Sequence, residues 1–228
     1  DMGLRLGLGR GAAALAGCSG RSGAEAVSRA PDSAMTAGIT AAGDTGGVAR
    51  ALRSKGSPTA PVTVYDMSDF QCPACRMFVT ETFPAVEREY IATGKVRWVF
   101  INFPLTQRHP NAAAAAQFAM CAAKSGKFWP VHDLLYKYQD TWAPLKDPSA
   151  FLMTLADSVH VPRAEIVACL QAPDARATVE SDAQGAARAG ATDTPSFYIE
   201  GGIMSGAYPI AVFRQVLDSI YAARTARH

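Results

Sequence analysis

Two cysteines separated by two residues lie where a strand pattern ends and a helix pattern begins, in Cys72-Pro73-Ala74-Cys75. A cysteine at a helix N-terminus faces unpaired backbone N–H groups and the positive end of the helix dipole, which stabilise the thiolate. We therefore predict that Cys72 is a nucleophile with a lowered pKa. Cys75 lies one turn further along, where its sulfur can attack a mixed disulfide at Cys72. Pro73 suits the first helical turn, in which a backbone N–H has no partner.

Three other interpretations of the cysteine pair compete with a redox role. A zinc site needs two more ligands at similarly short spacing. The histidines offer no such pair, since they stand at His109, His132, His160 and His228. A structural disulfide across two residues is strained and easily reduced, so it seldom stabilises a fold. Chance placement is the third, and the position between strand and helix favours redox chemistry over all three.

The residues around this motif predict an α/β fold in the order strand, helix, strand, helical insertion, strand, strand, helix. The predicted strands are 61–67, 95–103, 196–200 and 203–205, and the predicted helices are 73–90, four or five short ones within 111–190, and 209–223. Pro84 is expected to kink or interrupt the first helix. A Gly-Gly pair at 201–202 predicts a hairpin turn. The last helix is expected to bury Phe213, Val216 and Ile220.

The N-terminal part of the chain has a different composition. All ten Phe, three Trp and seven Tyr residues lie between Tyr65 and Tyr221, and Ala, Gly and Ser dominate residues 1–58. Such a segment buries too little apolar area to offset its ordering entropy. We interpret 1–18 as a signal-like segment and 19–58 as a flexible linker. The stretch Leu15-Ala16-Gly17-Cys18 resembles a bacterial lipobox, in which Cys18 would carry a lipid anchor; the alternative is a chance cysteine in an Ala/Gly tract.

Charge and hydropathy exclude two classes of partner for the folded part. The formal net charge is only +2, so no nucleic-acid surface is indicated. After the N-terminus, the longest apolar run extends from Val96 to Leu105 and contains Arg97 and Asn102, well short of a membrane span. We therefore expect membrane contact only through a lipid anchor.

Two segments carry a family resemblance. The residues Val62 to Gln71 before the cysteine pair, and Gly190 to Ile199 late in the chain, resemble the DsbA-like thiol-disulfide oxidoreductases. These have a thioredoxin-like fold with an inserted all-helical subdomain, and the resemblance covers residues 60–223. It implies a thioredoxin-like domain formed by 59–106 and 190–228, a helical insertion at 107–189, and a low-complexity tether in front.

The resemblance implies roles for three further residues. Pro195 matches a loop proline that adopts a cis peptide bond opposite the nucleophile, which would present the Thr194 backbone to a substrate's extended chain. Alternatively, Pro195 is only a turn residue. Asp66 matches a buried acid beneath the resolving cysteine, where burial raises its pKa and lets it accept a proton. Alternatively, Asp66 points to solvent.

The remaining candidates are less specific. His132 has apolar neighbours at helical spacing, which favours a packed histidine over a catalytic one. We interpret Asp69 as a loop or cap residue, and His109 as shaping the start of a helix. Cys121 and Cys169 both lie in the insertion, and some relatives have a second disulfide there. Free buried cysteines are nearly as plausible.

Together these features predict a bacterial extracytoplasmic enzyme, in the periplasm or at the cell surface, that is lipid-anchored to the membrane. It would oxidise cysteine pairs in unfolded or extended exported proteins through a Cys72 mixed disulfide that Cys75 resolves. We expect no metal and no cofactor besides the redox-active disulfide, a membrane or thiol partner for recycling, and a monomer. Ala74, where strong oxidants carry histidine, predicts a milder oxidant. The alternatives are a reductase or isomerase, or a non-catalytic peptide- or metal-binding lipoprotein.

Overall fold

The fold is described from a computed structural model, which covers residues 28–29 and 49–226. Its strands are β1 Ser28–Arg29, β2 Ser54–Lys55, β3 Val62–Ser68, β4 Val96–Asn102, β5 Ser196–Ile199 and β6 Gly202–Ser205. They form one sheet with the order β1-β6-β5-β3-β4-β2. β3 and β4 are parallel, whereas the other pairings are antiparallel. The predicted order of strands and helices is confirmed from β3 onward, whereas β1 and β2 lie within the predicted linker at 19–58.

A long helix, α1, follows β3 and spans residues 73–91. It is continuous, but two stretches, Phe78–Thr82 and Glu87–Ile91, have π-helical hydrogen bonding. Pro84, which has no N–H to donate, lies at the start of the segment between them. The expected interruption at this proline is therefore absorbed by wider helical turns and does not break the helix.

The insertion contains six helices, whereas the sequence predicts four or five. Its helices are α2 Ala112–Lys124, α3 Phe128–Lys137, α4 Gln139–Trp142, α5 Ser149–Ser158, α6 Arg163–Gln171 and α7 Pro173–Arg188. The additional helix is α4, which has only four residues and so offers no periodicity to detect. The chain closes with α8, Ile210–Thr225. In α8 the predicted burial of Phe213 is confirmed, and Leu217 is fully buried as well; Val216 and Ile220 pack against the same core but are only partly buried.

Both faces of the sheet are covered. One face packs against α1 and α8 through residues such as Val64, Trp98 and Phe213. The other packs against α7 through Met67, Ile101 and their neighbours. The cysteine pair at the start of α1 belongs to a third apolar cluster, together with the side chains of the insertion. The motif therefore lies where the insertion meets the sheet domain.

The fold begins before the predicted linker end at residue 58. Ser54 and Lys55 pair with β4, and the adjacent Arg53 is 1% exposed and forms an ion pair with Asp182 of α7. A hydropathy pattern cannot reveal this segment, because the side chain it buries is a charged one whose partner is remote in sequence. The signal-like segment at 1–18, with Cys18, lies outside the described residues. Within the described part of the chain, no helix combines the length and apolar character needed to cross a bilayer.

Candidate active site

Cys72 occupies the N-cap position of α1. Its backbone is extended, with φ −74° and ψ 122°, and Pro73 follows as the first helical residue. The Cys72 N–H donates to the Asp69 carbonyl at 3.1 Å, while its own carbonyl accepts the N–H of Arg76 at 3.2 Å. The side chain is 6% exposed, and its Sγ lies 3.4 Å from the carbonyl oxygen of Thr194. The sulfur is thus held between the head of a helix and a remote loop.

This environment lowers the pKa of Cys72 to about 6. A hydrogen bond from the Cys75 thiol is the largest cause, and Thr194 and the N–H groups of Cys75 and Ala74 add to it, against the opposing effect of burial. The helix start therefore contributes as the sequence suggested, but the second cysteine contributes more. At neutral pH Cys72 is mainly a thiolate, the form that reacts with disulfides.

Cys75 behaves in the opposite way. It is 0% exposed, and burial together with the neighbouring Cys72 thiolate raises its pKa well above the ordinary value. Both cysteines are free in this structure. The pair is therefore asymmetric: one sulfur is a slightly exposed anion and the other a fully buried thiol that donates to it.

Asp66 lies on β3, beneath this pair. It is 2% exposed, and its register neighbours across the sheet are Phe100 and Phe197. Its carboxyl group accepts hydrogen bonds from the Ser68 hydroxyl and, at 3.2 Å, from Trp98 Nε1. Burial nevertheless dominates and raises the pKa of Asp66 to about 7. The Asp66 charge in turn raises the pKa of Cys75, so the two groups interact electrostatically.

The loop opposite Cys72 carries Thr194 and Pro195, which are joined by a cis peptide bond. Thr194 is buried, and its N–H donates to the carboxylate of Asp193 at 2.8 Å. The Ser196 hydroxyl donates to the Asp193 carbonyl at 2.7 Å. These contacts fix the backbone of the loop just before β5 begins.

Asp69 organises the segment between β3 and α1. Its carboxylate accepts the N–H groups of Gln71 at 2.7 Å and Leu105 at 2.9 Å, and lies 2.8 Å from His109 Nδ1. Because the side chain is 1% exposed, these partners take the place of water around the carboxyl group.

Gln139 of α4 is a site residue that the sequence interpretation missed. Its side-chain amide donates to the carbonyls of Phe70 at 2.7 Å and Cys72 at 3.1 Å, so the insertion holds the backbone of the reactive cysteine. A groove of about 390 Å³ runs beside it and is lined by Pro73 and His109 among others. No sequence signal marks a lone glutamine in so short a helix.

The other candidate residues have packing roles in this structure. His132 is 1% exposed among aromatic rings, including Trp129 at 4.9 Å and Tyr136 at 5.0 Å between centroids. Burial lowers its pKa, although Asp133 opposes this. Cys121 and Cys169 are joined by a disulfide that links α2 to α6.

Comparisons with known proteins agree with this geometry. A family model described as Thioredoxin matches residues 51–219. A probable disulfide bond formation protein D of Bacillus cereus is 30% identical over 66% of this chain and 71% of its own length. The Na(+)/H(+) antiporter NhaA 3 of Salinispora tropica is 31% identical over 76% of this chain, but this chain spans only 25% of that relative. The crystal structure of Wolbachia pipientis alpha-DsbA1 has a TM-score of 0.69 at 23% identity, covering 77% of this chain and 93% of that one; this likeness concerns the fold.

Proposed function

This chain belongs to the thioredoxin family, in its DsbA-like group, and from that premise we propose that it is a thiol-disulfide oxidoreductase that forms disulfides in exported proteins. The observation that carries the proposal is the asymmetric pair. The Cys72 sulfur has a pKa of about 6 and faces the Thr194 carbonyl, and the thiol of Cys75 lies directly behind it. A pair that served only as a structural link would have no need of one stabilised anion.

The proposed reaction starts from the oxidised protein, with Cys72 and Cys75 joined. A substrate thiolate attacks the Cys72 sulfur, the S–S bond breaks, and its electron pair leaves on Cys75. Because the pKa of Cys75 is high, this thiolate takes up a proton, and Asp66, with a pKa of about 7, is the group that supplies it. The substrate's second thiolate then attacks its own sulfur in the mixed disulfide. Cys72 leaves as a stable thiolate, the substrate is oxidised by two electrons, and the protein is reduced by two.

The same mixed disulfide can also be resolved by Cys75. This second route determines how the role of Cys75 is tested. If Cys75 attacks Cys72 first, the substrate leaves reduced and the protein returns to its oxidised form. Cys75 therefore resolves non-productive complexes in an oxidase, and completes the reaction in a reductase. Removing its sulfur is expected to prolong the life of mixed disulfides in either case.

We assign substrate binding to the loop of Thr194 and Pro195. A substrate's extended chain would lie along this backbone, since main-chain hydrogen bonds recognise a chain largely independently of its sequence. This suits a protein that acts on many unfolded or extended clients.

Trapping experiments test the reaction. We expect Cys75→Ser, with Cys72 first converted to its mixed disulfide with glutathione, to exchange the glutathione for an unfolded protein that has one free cysteine and so to accumulate covalent, thiol-reversible adducts; the matched Cys72→Ser variant, treated in the same way, should form none. Loss of oxidation in both variants is also expected. Undiminished non-covalent peptide binding by both, with no adducts and no turnover in the wild type, would instead identify a binding module.

Equilibration with a glutathione buffer series tests the direction. A reduction potential between about −120 mV, typical of strong oxidants, and about −180 mV, typical of disulfide isomerases, fits the proposed oxidase. A value near about −270 mV, as in thioredoxin, would favour a reductase. The lowered pKa of Cys72 supports the oxidising side, because it stabilises the reduced form.

The proposed location is outside the cytoplasm of a bacterium, where disulfides persist. The support is the lipobox-like stretch ending at Cys18 and the disulfide between Cys121 and Cys169. Recycling requires a partner that accepts two electrons, which we propose to be a membrane or thiol redox protein. Fractionation of cells expressing the full-length protein and its Cys18→Ser variant tests the anchor: the wild type should be in the membrane fraction and the variant released.

A further inference from the structure

An ion pair that the proposed mechanism does not use connects the insertion side of the site to the loop of Thr194. Arg108, in the segment before α2, donates to Asp193 from both terminal guanidinium nitrogens. The distances are 2.8 Å between Nη2 and Oδ1 and 3.4 Å between Nη1 and Oδ2. The same Oδ1 accepts the N–H of Thr194 at 2.8 Å, and the Thr194 carbonyl lies 3.4 Å from Cys72 Sγ. Three consecutive contacts therefore lead from Arg108 to the reactive sulfur.

This pair contributes little to the fold by itself. The side chains of Arg108 and Asp193 are 54% and 58% exposed, and exposed ion pairs of this kind add little stability. What distinguishes the pair is its position, since one member adjoins the residue that faces the thiolate. An unpaired carboxylate there would oppose a negative sulfur, and an unpaired guanidinium would favour it.

The ionisable groups around Cys72 make a positive charge at this position consequential. Acidic groups surround Cys72 on several elements, and Ala74, between the two cysteines, carries no charge. Those ionisable groups are Cys75 on α1, Asp66 on β3, Asp69 and His109 in the loops beside the sheet, Tyr136 on α3, and Asp193 before β5. Arg76, near the start of α1, already pairs with Asp140.

Resting on the proposed function, we propose that Arg108 is a positioning residue of the redox site: it neutralises the Asp193 carboxylate beside Thr194, and so favours the thiolate of Cys72. Mutual electrostatic effects support this. The pKa of Arg108 is raised by Asp193 first, and the negative charges of Cys72 and Asp69 raise it further. Such an interaction is reciprocal, so a cation stabilised by the thiolate stabilises the thiolate in return.

The test uses two variants, one of Arg108 and one of Asp193, for which the charge argument predicts opposite changes in the ionisation constant of Cys72. Arg108→Gln leaves the Asp193 carboxylate unpaired, and is expected to lower the ionisation constant of Cys72 about three-fold. Asp193→Asn keeps an oxygen for the Thr194 N–H and leaves the guanidinium unpaired, so it should raise that constant about three-fold. The double variant should return close to the wild type, as should Arg108→Lys. The thiolate's ultraviolet absorbance, followed against pH at low salt, measures each value.

A matched control comes from the insertion, where Arg163 pairs with Asp157 through three contacts at comparable exposure. Arg163→Gln should leave the ionisation of Cys72 unchanged. As a second readout, the glutathione equilibrium should shift about two- to three-fold toward the dithiol in Asp193→Asn and toward the disulfide in Arg108→Gln. High salt should shrink both effects, because the pair is exposed.

The outcomes separate this inference from the proposed function. If the wild-type thiol titrates like free cysteine, the proposed function loses its basis. If the wild-type thiol is acidic but the two single variants shift its ionisation in the same direction, Arg108 acts only as a structural clamp and the inference is wrong. It is equally wrong if neither variant differs from Arg163→Gln.

Discussion

Replacing Asp66 by Asn is expected to stabilise the protein in a pH-dependent way. The folded pKa of Asp66 is about 7, against 3.8 for an unperturbed carboxyl, because burial disfavours the charged form. An acid whose pKa is raised by folding leaves the fold unaffected while both states are protonated, below about pH 3. It then destabilises the fold progressively as the pH rises from 3.8 to 7.

The difference between these two pKa values sets the magnitude. Linkage gives a cost of about 2 kcal/mol at pH 5 and about 4 kcal/mol at pH 8, where the effect has levelled off. Asparagine keeps the two hydrogen bonds, since its oxygen can accept from Trp98 Nε1 while its amide donates to the Ser68 hydroxyl. The variant should therefore gain most of that free energy.

Urea unfolding at a series of pH values measures the effect, with Cys72 and Cys75 reduced in both proteins. The free energy of unfolding of Asp66→Asn should exceed that of the wild type by more at pH 8 than at pH 5, and converge with it near pH 3. The exposed Asp174→Asn serves as the control and should show no such pH-dependent gain. A constant gain across this range, or none at pH 8, would refute the reasoning from burial.

Three further predictions concern the site and the insertion. Alkylation of Cys72 by iodoacetamide should accelerate from pH 4 to pH 7 and then level off, because its pKa is about 6, while peptide mapping should find Cys75 unmodified; equal labelling would contradict the assigned asymmetry. Gln139→Ala removes two hydrogen bonds to buried carbonyls and should lower the free energy of unfolding by about 2–3 kcal/mol; Gln139→Glu, whose carboxylate cannot donate to these carbonyls, should lose at least as much in the same urea titration. Replacing Cys121 and Cys169 by Ala opens a loop of 48 residues and should cost up to about 4 kcal/mol of stability, yet leave the glutathione equilibrium of the active cysteines unchanged; a shifted equilibrium would mean that the insertion disulfide takes part in the chemistry.

The order of elements and the reactive pair could be predicted from local sequence. Strands β3 and β4 are apolar enough to be recognised, and the cysteine motif stands at a helix start, where backbone N–H groups are unpaired in any fold. The burial of Asp66 also followed from alternation with Val62 and Val64 on one strand face. These features depend on neighbours within a few residues, which is why a pattern reveals them.

Other features could not be predicted from the sequence, because the residues that cause them are distant along the chain. Arg53 can be buried because it forms an ion pair with Asp182, which lies 129 residues away in the chain. Leu217 is buried more fully than Val216 because the rotation of α8 is set by the helix and sheet it packs against. The hydrogen bonds from Gln139 to the start of α1 likewise join two segments that only the folded insertion brings together.

The sequence by itself determined which sulfur stands at the head of a helix, and which residues surround it along the chain. Tertiary structure alone decided how acidic that sulfur is and what faces it. The Thr194 carbonyl, 122 residues away, is placed against Cys72, and Arg108 reaches Asp193 across 85 residues. Helix position is a property of the local backbone, whereas the energy of a charge depends on every group and on the water excluded around it, and folding alone assembles those.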